Sequence, residues 1–306
     1  MRVLMLFVDG VGMGTPDPAV NPLFAARLPV LRSLMGGMPS LKQRTLSSAK
    51  GMVLPLDATL GVKGLPQSGT GQASLFAGIN GPRRAGHHFG PHPPAVLRPA
   101  IERRNIFRQV MEAGMSPCFA NAFPERFFEY VRLHKFRLSM TTLSCTLSGL
   151  PLLQENDLRV GKALSADLTG EGWKGLCTEE IPVISPAESG RRLAALAAEH
   201  HFTLFEYWKT DFAGHSQQMA DAVLTLERLD EMLGGVLEAI DLHSALIVLT
   251  SDHGNIEDLS VRTHTRNPVP LMLCGSGFQK AAARIASRSR PNLAHVTPLL
   301  MDCMKG

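Results

Sequence analysis

Short, mainly apolar runs recur along this chain and are separated by stretches with helical spacing. The runs 3–8, 202–207 and 245–249 have the length and composition of strands buried on both faces of a parallel sheet. Between them, apolar residues at helical spacing predict amphipathic helices over about 187–200 and 217–240. This alternation predicts an α/β fold with a mostly parallel central sheet and helices on both of its faces.

The same pattern divides the chain into a core and an insertion. Further helices are predicted at about 22–35 and 292–304. Between residues 81 and 185 the strand and helix rhythm is lost, and histidines, prolines, arginines and aromatic residues become frequent. We therefore expect a core formed by residues 1–80 and 186–306, with residues 81–185 as an inserted cap that serves as the substrate region.

Composition restricts the class of protein. The chain has 306 residues, of which 44% are hydrophobic and 19% are charged, as in soluble globular proteins. No apolar run approaches the roughly 18 residues of a membrane span, and the run 3–8 is too short for the hydrophobic region of a signal peptide. The sequence therefore predicts a cytoplasmic protein with no membrane partner.

Cysteine usage excludes two further classes of protein. The five cysteines are an odd number, are widely scattered and include no C-x-x-C pair. This distribution indicates neither a disulfide framework nor a zinc site built from thiolates.

Positive charge is concentrated in the expected cap. The net charge is +4, but residues 81–138 carry ten Lys and Arg against four Glu, which gives 10 − 4 = +6 and leaves −2 for the rest of the chain. A local positive field of this kind suits a small anionic substrate. Binding of nucleic acid would depend on this charge alone, so no nucleic-acid partner is expected. The sequence does not indicate an oligomeric state.

The glycine-rich segment after the first predicted strand does not match a dinucleotide-binding motif. The third glycine of a G-x-G-x-x-G pattern would fall at Thr15, and Pro16 and Pro18 prevent a phosphate-binding helix from starting there. The segment instead presents Asp9 at the end of a strand, with Gly10 allowing close approach of backbone or ligands.

A second candidate segment is the turn that contains Ser68. Pro66 ends the preceding element and residues 72–77 have a helical composition, so Ser68 lies at or near a helix N-terminus, where anions are favoured. The nucleophile motif of α/β-hydrolases would require glycine at the position of Pro66. A simple hydroxyl-stabilised turn without chemistry is the alternative.

Carboxylates and imidazoles follow three of the predicted strands. In an α/β sheet such positions share one edge, so these groups are expected to converge. Oxygen and imidazole ligands without thiolates suit Zn²⁺ or Mn²⁺, and the set is large enough for two ions that clamp a phosphoryl transfer. The sequence places no histidine next to Ser68, so metal would have to activate its hydroxyl. The converging residues are Asp9, Asp211, His215, Asp252, His253 and His264, together with Ser68.

These motifs resemble the metalloenzyme branch of the alkaline phosphatase superfamily, which includes cofactor-independent phosphoglycerate mutase and phosphopentomutase. The resemblance covers residues 1–80 and 186–306 in the same linear order, and it implies an alkaline-phosphatase-like three-layer sandwich. The matching motifs are Asp9-Gly, Ser68-Gly-Thr-Gly-Gln, Asp211-x-x-x-His215, Asp252-His253-Gly-Asn and His264-Thr-x-Asn-Pro-Val-Pro.

The resemblance also implies roles for individual residues. Two divalent ions, Mn²⁺ or Zn²⁺, would be bound, and the substrate would be a small phosphorylated molecule. One ion would be held by Asp9, Ser68, Asp252 and His253, and the other by Asp211, His215 and His264. Ser68 would be the nucleophile that becomes phosphorylated, with Thr70 as the alternative. Lys209, Arg266, Arg83 and Arg84 are candidate substrate contacts.

Departures from the family pattern affect the expected activity. Gln72 stands where the mutases have a histidine, and residues 81–185 match neither family's inserted domain. The sulfatase pattern is absent around Ser68. We therefore expect a phosphohydrolase acting on a small phosphate ester, with a phosphomutase as the first alternative and a nonenzymatic metal-stabilised protein as the second.

Overall fold

The computed structural model describes residues 1–133, 137–177 and 179–306 of the chain. The strands are β1 Arg2–Val8, β2 Leu46–Ser47, β3 Gly51–Leu56, β4 Pro117–Phe119, β5 Ala122–Phe123, β6 Leu153–Gln154, β7 Phe202–Tyr207, β8 Ala245–Thr250 and β9 Val269–Gly275. The helices are α1 Pro22–Ala25, α2 Pro29–Met35, α3 Ser68–Ala77, α4 Gly81–Ala85, α5 Arg98–Arg104, α6 Ile106–Glu112, α7 Glu125–Leu133, α8 Met140–Ser148, α9 Glu155–Arg159, α10 Pro186–Glu199, α11 Lys209–Ser216, α12 Met219–Ala239, α13 Phe278–Ala286 and α14 Val296–Lys305.

The main sheet is mixed. Its strand order is β2-β3-β9-β8-β1-β7-β4. The four strands β8, β1, β7 and β4 run parallel to one another, whereas β9 is antiparallel to both β8 and β3, and β2 is antiparallel to β3. The α/β class is confirmed, and the parallel arrangement is restricted to one half of the sheet.

Both faces of the sheet are buried, as the apolar strand pattern predicted. Val3, Met5 and Phe7 of β1 pack into one hydrophobic core, while Leu4 and Leu6 pack into the core on the opposite face. Because successive side chains of a strand point to opposite faces, a run that is apolar at every position requires a helical layer on each side. This gives the three-layer arrangement.

The region expected to be an inserted cap is partly incorporated into the core. Strand β4 pairs with β7 at the edge of the main sheet, and Ile101, Phe107 and Val110 of α5 and α6 pack in the same core as Phe7. The remainder forms a separate two-stranded sheet of β5 and β6 with its own small hydrophobic cluster. The core therefore extends beyond the expected boundary at residue 81, because short helices here bury apolar side chains against the sheet.

Proline positions explain two differences from the predicted elements. The helix expected over 22–35 is divided into α1 and α2 at Pro29, since the residue before a proline is disfavoured in helical conformation. Strand β9, which contains Pro270 and was not predicted, is buried and pairs with β3 and β8. No helix in the described ranges is long and apolar enough to cross a bilayer.

Candidate metal centre

Sheet topology brings the predicted ligands to one edge. Strands β1, β7 and β8 are parallel, and Asp9, Asp211 and Asp252 follow their carboxyl ends. Because β9 is antiparallel to β8, the segment that enters it, which carries His264, lies at the same edge. Strand β3 is antiparallel to β9 and therefore also ends there, before the loop that leads to Ser68. Segments distant in sequence thus converge.

The first group of potential ligands surrounds His253. Its Nε2 lies 3.5 Å from Asp9 Oδ1, 3.5 Å from Asp252 Oδ2 and 3.0 Å from Ser68 Oγ. The Asp252 and His253 side chains are fully buried. Burial, together with the neighbouring His264, lowers the pKa of His253 to about 3, so its imidazole is neutral at physiological pH. A neutral imidazole is the form that binds a metal ion.

The second group is formed by Asp211, His215 and His264. Asp211 carboxylate oxygens lie 3.4 Å from His215 Nε2 and 3.7 Å from His264 Nε2. The Nδ1–H of His264 donates to the Pro66 carbonyl at 2.8 Å, and that of His215 donates to the Arg262 carbonyl at 3.0 Å. These bonds leave both Nε2 lone pairs directed inward, with the two nitrogens 3.2 Å apart. Such an arrangement fits a shared cation.

Buried carboxylate oxygens without hydrogen-bond partners also fit bound cations. Oδ1 of Asp9 and both oxygens of Asp252 are buried and unpartnered among the described residues. Burial raises the pKa of Asp9 well above its usual range, and the charges of Asp252 and Asp211 raise it further. Burial likewise raises the pKa of Asp252. Grouped carboxylates of this kind are unfavourable unless a cation or protons compensate them.

The two groups of potential ligands are in contact, and the cluster that they form is exposed to solvent on one side. His253 and His264 stack with ring centroids 3.7 Å apart. A ring nitrogen of His253 lies within 4.8 Å of ligand atoms of both groups: Asp9 and Asp252 in the first, and Asp211 and His264 in the second. Side-chain exposure is 8% for His264 and 15% for Asp211 but 42% for His215. Solvent and ligands therefore reach the cluster on the His215 side.

The hydroxyls of Ser68 and Thr70, the two predicted candidates for the nucleophile, have different environments. Ser68 is the first residue of α3, and its hydroxyl faces His253. Thr70 is fully buried, and its hydroxyl donates to the Gln67 carbonyl and accepts from the Phe89 amide. The expectation that no histidine adjoins Ser68 was wrong, because the fold brings His253 from a segment 185 residues away.

A buried glutamate to which the sequence analysis gave no role connects the loops that carry the ligands. Oε2 of Glu257 accepts from the Gly12 amide at 2.8 Å and the Asn255 amide at 2.7 Å. Oε1 accepts from Thr265 Oγ1 and from Asn267 Nδ2, the latter at 3.0 Å. We call these four bonds the Glu257 network. It joins the loop that follows β1 to both ends of the segment 251–268, which connects β8 to β9.

Three other polar residues near the cluster were given no role at the site by the sequence analysis. Asn255 Nδ2 donates to Asp211 Oδ1 at 2.7 Å, which fixes the orientation of that carboxylate. Gln72 is buried with its Nε2 3.5 Å from Asp9 Oδ2. Glu206 of β7 is buried and accepts from Thr141 Oγ1, and burial raises its pKa to about 7. A single glutamate within an otherwise apolar strand was the available sequence signal.

The predicted substrate contacts have different positions relative to the cluster. Arg266 is exposed two residues after His264, and burial, with a smaller contribution from the Arg266 charge, lowers the pKa of His88. Lys209 begins α11, the helix that carries Asp211. Arg83 and Arg84 are exposed on α4, and neither guanidinium forms an ion pair with the cluster in the described residues. Their roles stay predictions.

Comparisons with known proteins support the family resemblance that the sequence motifs indicated. Residues 181–305 match the model of the Metalloenzyme superfamily. A 2,3-bisphosphoglycerate-independent phosphoglycerate mutase from Pyrococcus abyssi is 29% identical over 122 residues, which cover 37% of this chain and 29% of the mutase. The matched segment therefore spans less than a third of this relative.

Solved structures resemble the chain over nearly its whole length. The PH0037 protein from Pyrococcus horikoshii has a TM-score of 0.61 at 14% identity, covering 99% of this chain and 96% of that one. Alkaline phosphatase from the Antarctic bacterium TAB5 has a TM-score of 0.55 at 12% identity, covering 99% and 98%. The resemblance inferred from the motifs is confirmed: residues 181–305 match the Metalloenzyme superfamily, and the chain has the fold of the alkaline phosphatases.

Proposed function

We propose that this protein is a two-cation phosphoryl-transfer enzyme with Ser68 as its nucleophile, and that it hydrolyses small phosphate esters. The observation that carries the proposal is the contact of Ser68 Oγ, 3.0 Å from His253 Nε2, with a cluster whose carboxylate oxygens are buried and unpartnered. A hydroxyl needs this kind of environment to act as a nucleophile at neutral pH.

In the proposed reaction, Ser68 Oγ gives up its proton to water and attacks phosphorus, so that the Oγ–P bond forms while the bond from phosphorus to the leaving oxygen breaks and that oxygen takes up a proton from water. The N-terminus of α3 favours the phosphate at this position. Asp9, Asp252 and His253, with Ser68, would hold one ion, and Asp211, His215 and His264 would hold the second. Zn²⁺ or Mn²⁺ bound there would lower the pKa of the hydroxyl and balance the charge of the transition state.

The fate of the phosphoserine distinguishes two activities. Water breaking the Oγ–P bond gives hydrolysis, whereas a hydroxyl of the retained product gives a mutase. The mutase has about equal support, because the curated relative from P. abyssi is a phosphoglycerate mutase. Substrate retention would depend on residues 81–185, of which 81–180 lie outside the family match.

The test begins with chelator-treated protein to which Mn²⁺, Zn²⁺ or Mg²⁺ is restored. Phosphate release is measured over a panel of phosphomonoesters, phosphodiesters and sugar phosphates, and conversion of 3-phosphoglycerate to 2-phosphoglycerate is followed by ³¹P NMR. We expect metal-dependent phosphate release that Ser68→Ala abolishes while metal content, measured by mass spectrometry, persists. Thr70→Val should retain activity.

Other outcomes identify the alternatives. Isomerisation without phosphate release would support the mutase. Loss of activity in Thr70→Val but not in Ser68→Ala would assign the nucleophile to Thr70. Neither release nor isomerisation, in protein that metal ions stabilise against heat, would support a nonenzymatic metal-binding protein.

A further inference from the structure

An aromatic pair, one exposed ring and one half-buried ring, lies at the start of the helix that carries two of the potential metal ligands. Trp208, immediately before α11, and Phe212 within it have ring centroids 4.9 Å apart at an interplanar angle of 59°. Phe212 is 66% exposed. A phenyl ring this exposed buries little area against the core and keeps most of its surface available to a ligand.

Helix geometry places this pair beside the ligands. Successive residues of an α-helix are about 100° apart, so Asp211 and His215 project about 40° from each other. On the same projection Trp208 and Phe212 lie about 60° and 100° from Asp211, on the side toward His215. His215 is also the most exposed of the potential ligands, at 42%. The aromatic pair therefore borders the open side of the cluster.

A cation adjoins the pair. Lys209 Nζ lies 4.8 Å from the centroid of the Trp208 ring. Aromatic faces with a neighbouring ammonium group suit a ligand that combines a planar ring and a negative charge. A phosphate ester with an aromatic substituent has both features, and its ring is only a few bonds from phosphorus.

We propose that Trp208 and Phe212 form a stacking subsite for a planar aromatic group of the substrate. This inference rests on the proposed function, which it extends by naming the substrate class: phosphate monoesters that carry an aromatic ring, either aryl phosphates or nucleoside monophosphates. Non-aromatic esters would reach the same phosphoryl site without this contact.

The test compares kcat/KM of metal-loaded parent, Phe212→Ala, Phe212→Leu and Phe212→Tyr on three substrates: 4-nitrophenyl phosphate, adenosine 5′-monophosphate and glycerol 3-phosphate. We expect Phe212→Ala and Phe212→Leu to lower kcat/KM about tenfold on one or both aromatic esters and less than twofold on glycerol 3-phosphate. Phe212→Tyr should retain the parental ratio. The aromatic ester whose kcat/KM falls shows whether the subsite binds an aryl group or a nucleobase.

Leu224→Ala is the matched control, because Leu224 is a similarly exposed apolar residue (50%) on α12. It should leave all three rates unchanged. An equal fall on all substrates in Phe212→Ala would show that the ring supports the metal cluster rather than the substrate. Unchanged rates on both aromatic esters would overturn the subsite directly.

A binding measurement separates this inference from the proposed function. Phenylphosphonate is compared with propylphosphonate by quenching of tryptophan fluorescence in metal-loaded protein. The chain has two tryptophans, and Trp173 is buried in a separate cluster. We expect phenylphosphonate to bind about tenfold more tightly than propylphosphonate, and Phe212→Ala to remove the difference. If no ester is turned over but this preference holds, the reaction is refuted and the subsite stands; equal binding refutes the subsite.

Discussion

Replacement of Glu257 by glutamine tests whether a hydrogen-bond network holds the ligand loops in place. Each carboxylate oxygen of Glu257 accepts two bonds: Oε2 from the Gly12 and Asn255 amides, and Oε1 from Thr265 and Asn267. Glutamine has nearly the same shape, but one of its terminal atoms is an NH₂ group that donates. In either orientation of the amide, the two bonds to one carboxylate oxygen are lost.

The magnitude follows from this count. Glu257 is fully buried, so water does not replace the lost acceptor. Hydrogen bonds to a charged group contribute about 1.5–3 kcal/mol each, so two of them predict a loss of about 3–6 kcal/mol in unfolding free energy. The unfolding free energy of a natural domain is about 5–15 kcal/mol in total, so the variant is expected to fold but with a much lower stability. Metal affinity should fall as well, because the loops that carry Asp9, His253 and His264 lose their connection.

Urea unfolding of metal-free protein measures the stability loss, and isothermal titration calorimetry with Mn²⁺ or Zn²⁺ measures the affinity. Glu238→Gln is the matched control, since Glu238 is an exposed partner of Arg191 and its replacement should change stability by less than about 1 kcal/mol. If Glu257→Gln fails to fold, Asn267→Ala, which removes a single donor, should still show a loss of about 1–3 kcal/mol. A Glu257→Gln protein as stable as the control would refute the reasoning.

Three further substitutions test the charges and packing of the cluster. Asp252→Asn removes a buried charge beside Asp9, so by calorimetry the metal-free variant should melt above the parent and lose the parent's stabilisation by Mn²⁺ or Zn²⁺. Burial raises the pKa of Glu206 from 4.5 to about 7, so its contribution to stability is fully present below pH 4.5 and is lost as pH rises through 7. Metal-free protein should lose about 3 kcal/mol over this range, and Glu206→Gln should reduce the slope; an unchanged slope contradicts the assignment. Gly10→Ala would place a Cβ 2.6 Å from Asp211 Oδ1, so metal affinity should fall in titration calorimetry, whereas Gly114→Ala, with the same positive φ but open space, should not change it.

The sequence predicted the fold well where the hydrophobic pattern was uninterrupted. Strands β7 and β8 and helix α10 lie within a residue or two of their expected positions, because apolar runs and helical spacing report burial directly. Strand β9 was missed because Pro270 removes a backbone donor and is atypical of central strands. Strand β4 was missed because three residues are too few to show a pattern.

The candidate site could be predicted as a set of residues but not as a network. Asp9, Asp252 and His264 are recognisable because polar groups next to strand ends lie at one edge of the sheet whatever the detailed packing. The contact of Ser68 with His253 depends on where α3 lies relative to β8, which no local pattern encodes. The same applies to Glu257, whose partner Gly12 is 245 residues distant.

The potential ligands and the residues that hold their loops affect the stability of the fold in opposite ways. The ligands place carboxylates together in a buried site, and in the absence of cations this arrangement opposes folding, as the raised pKa of Asp9 indicates. Ions that bind only the folded state would stabilise it, by about 2.7 kcal/mol at a hundredfold excess over Kd. Stability that comes from the ions is lost with them, but the bonds of Glu257 and of Asn255 are made entirely within the chain. We therefore expect Glu257 and Asn255 to hold the loops of the potential ligands in position before any cation binds.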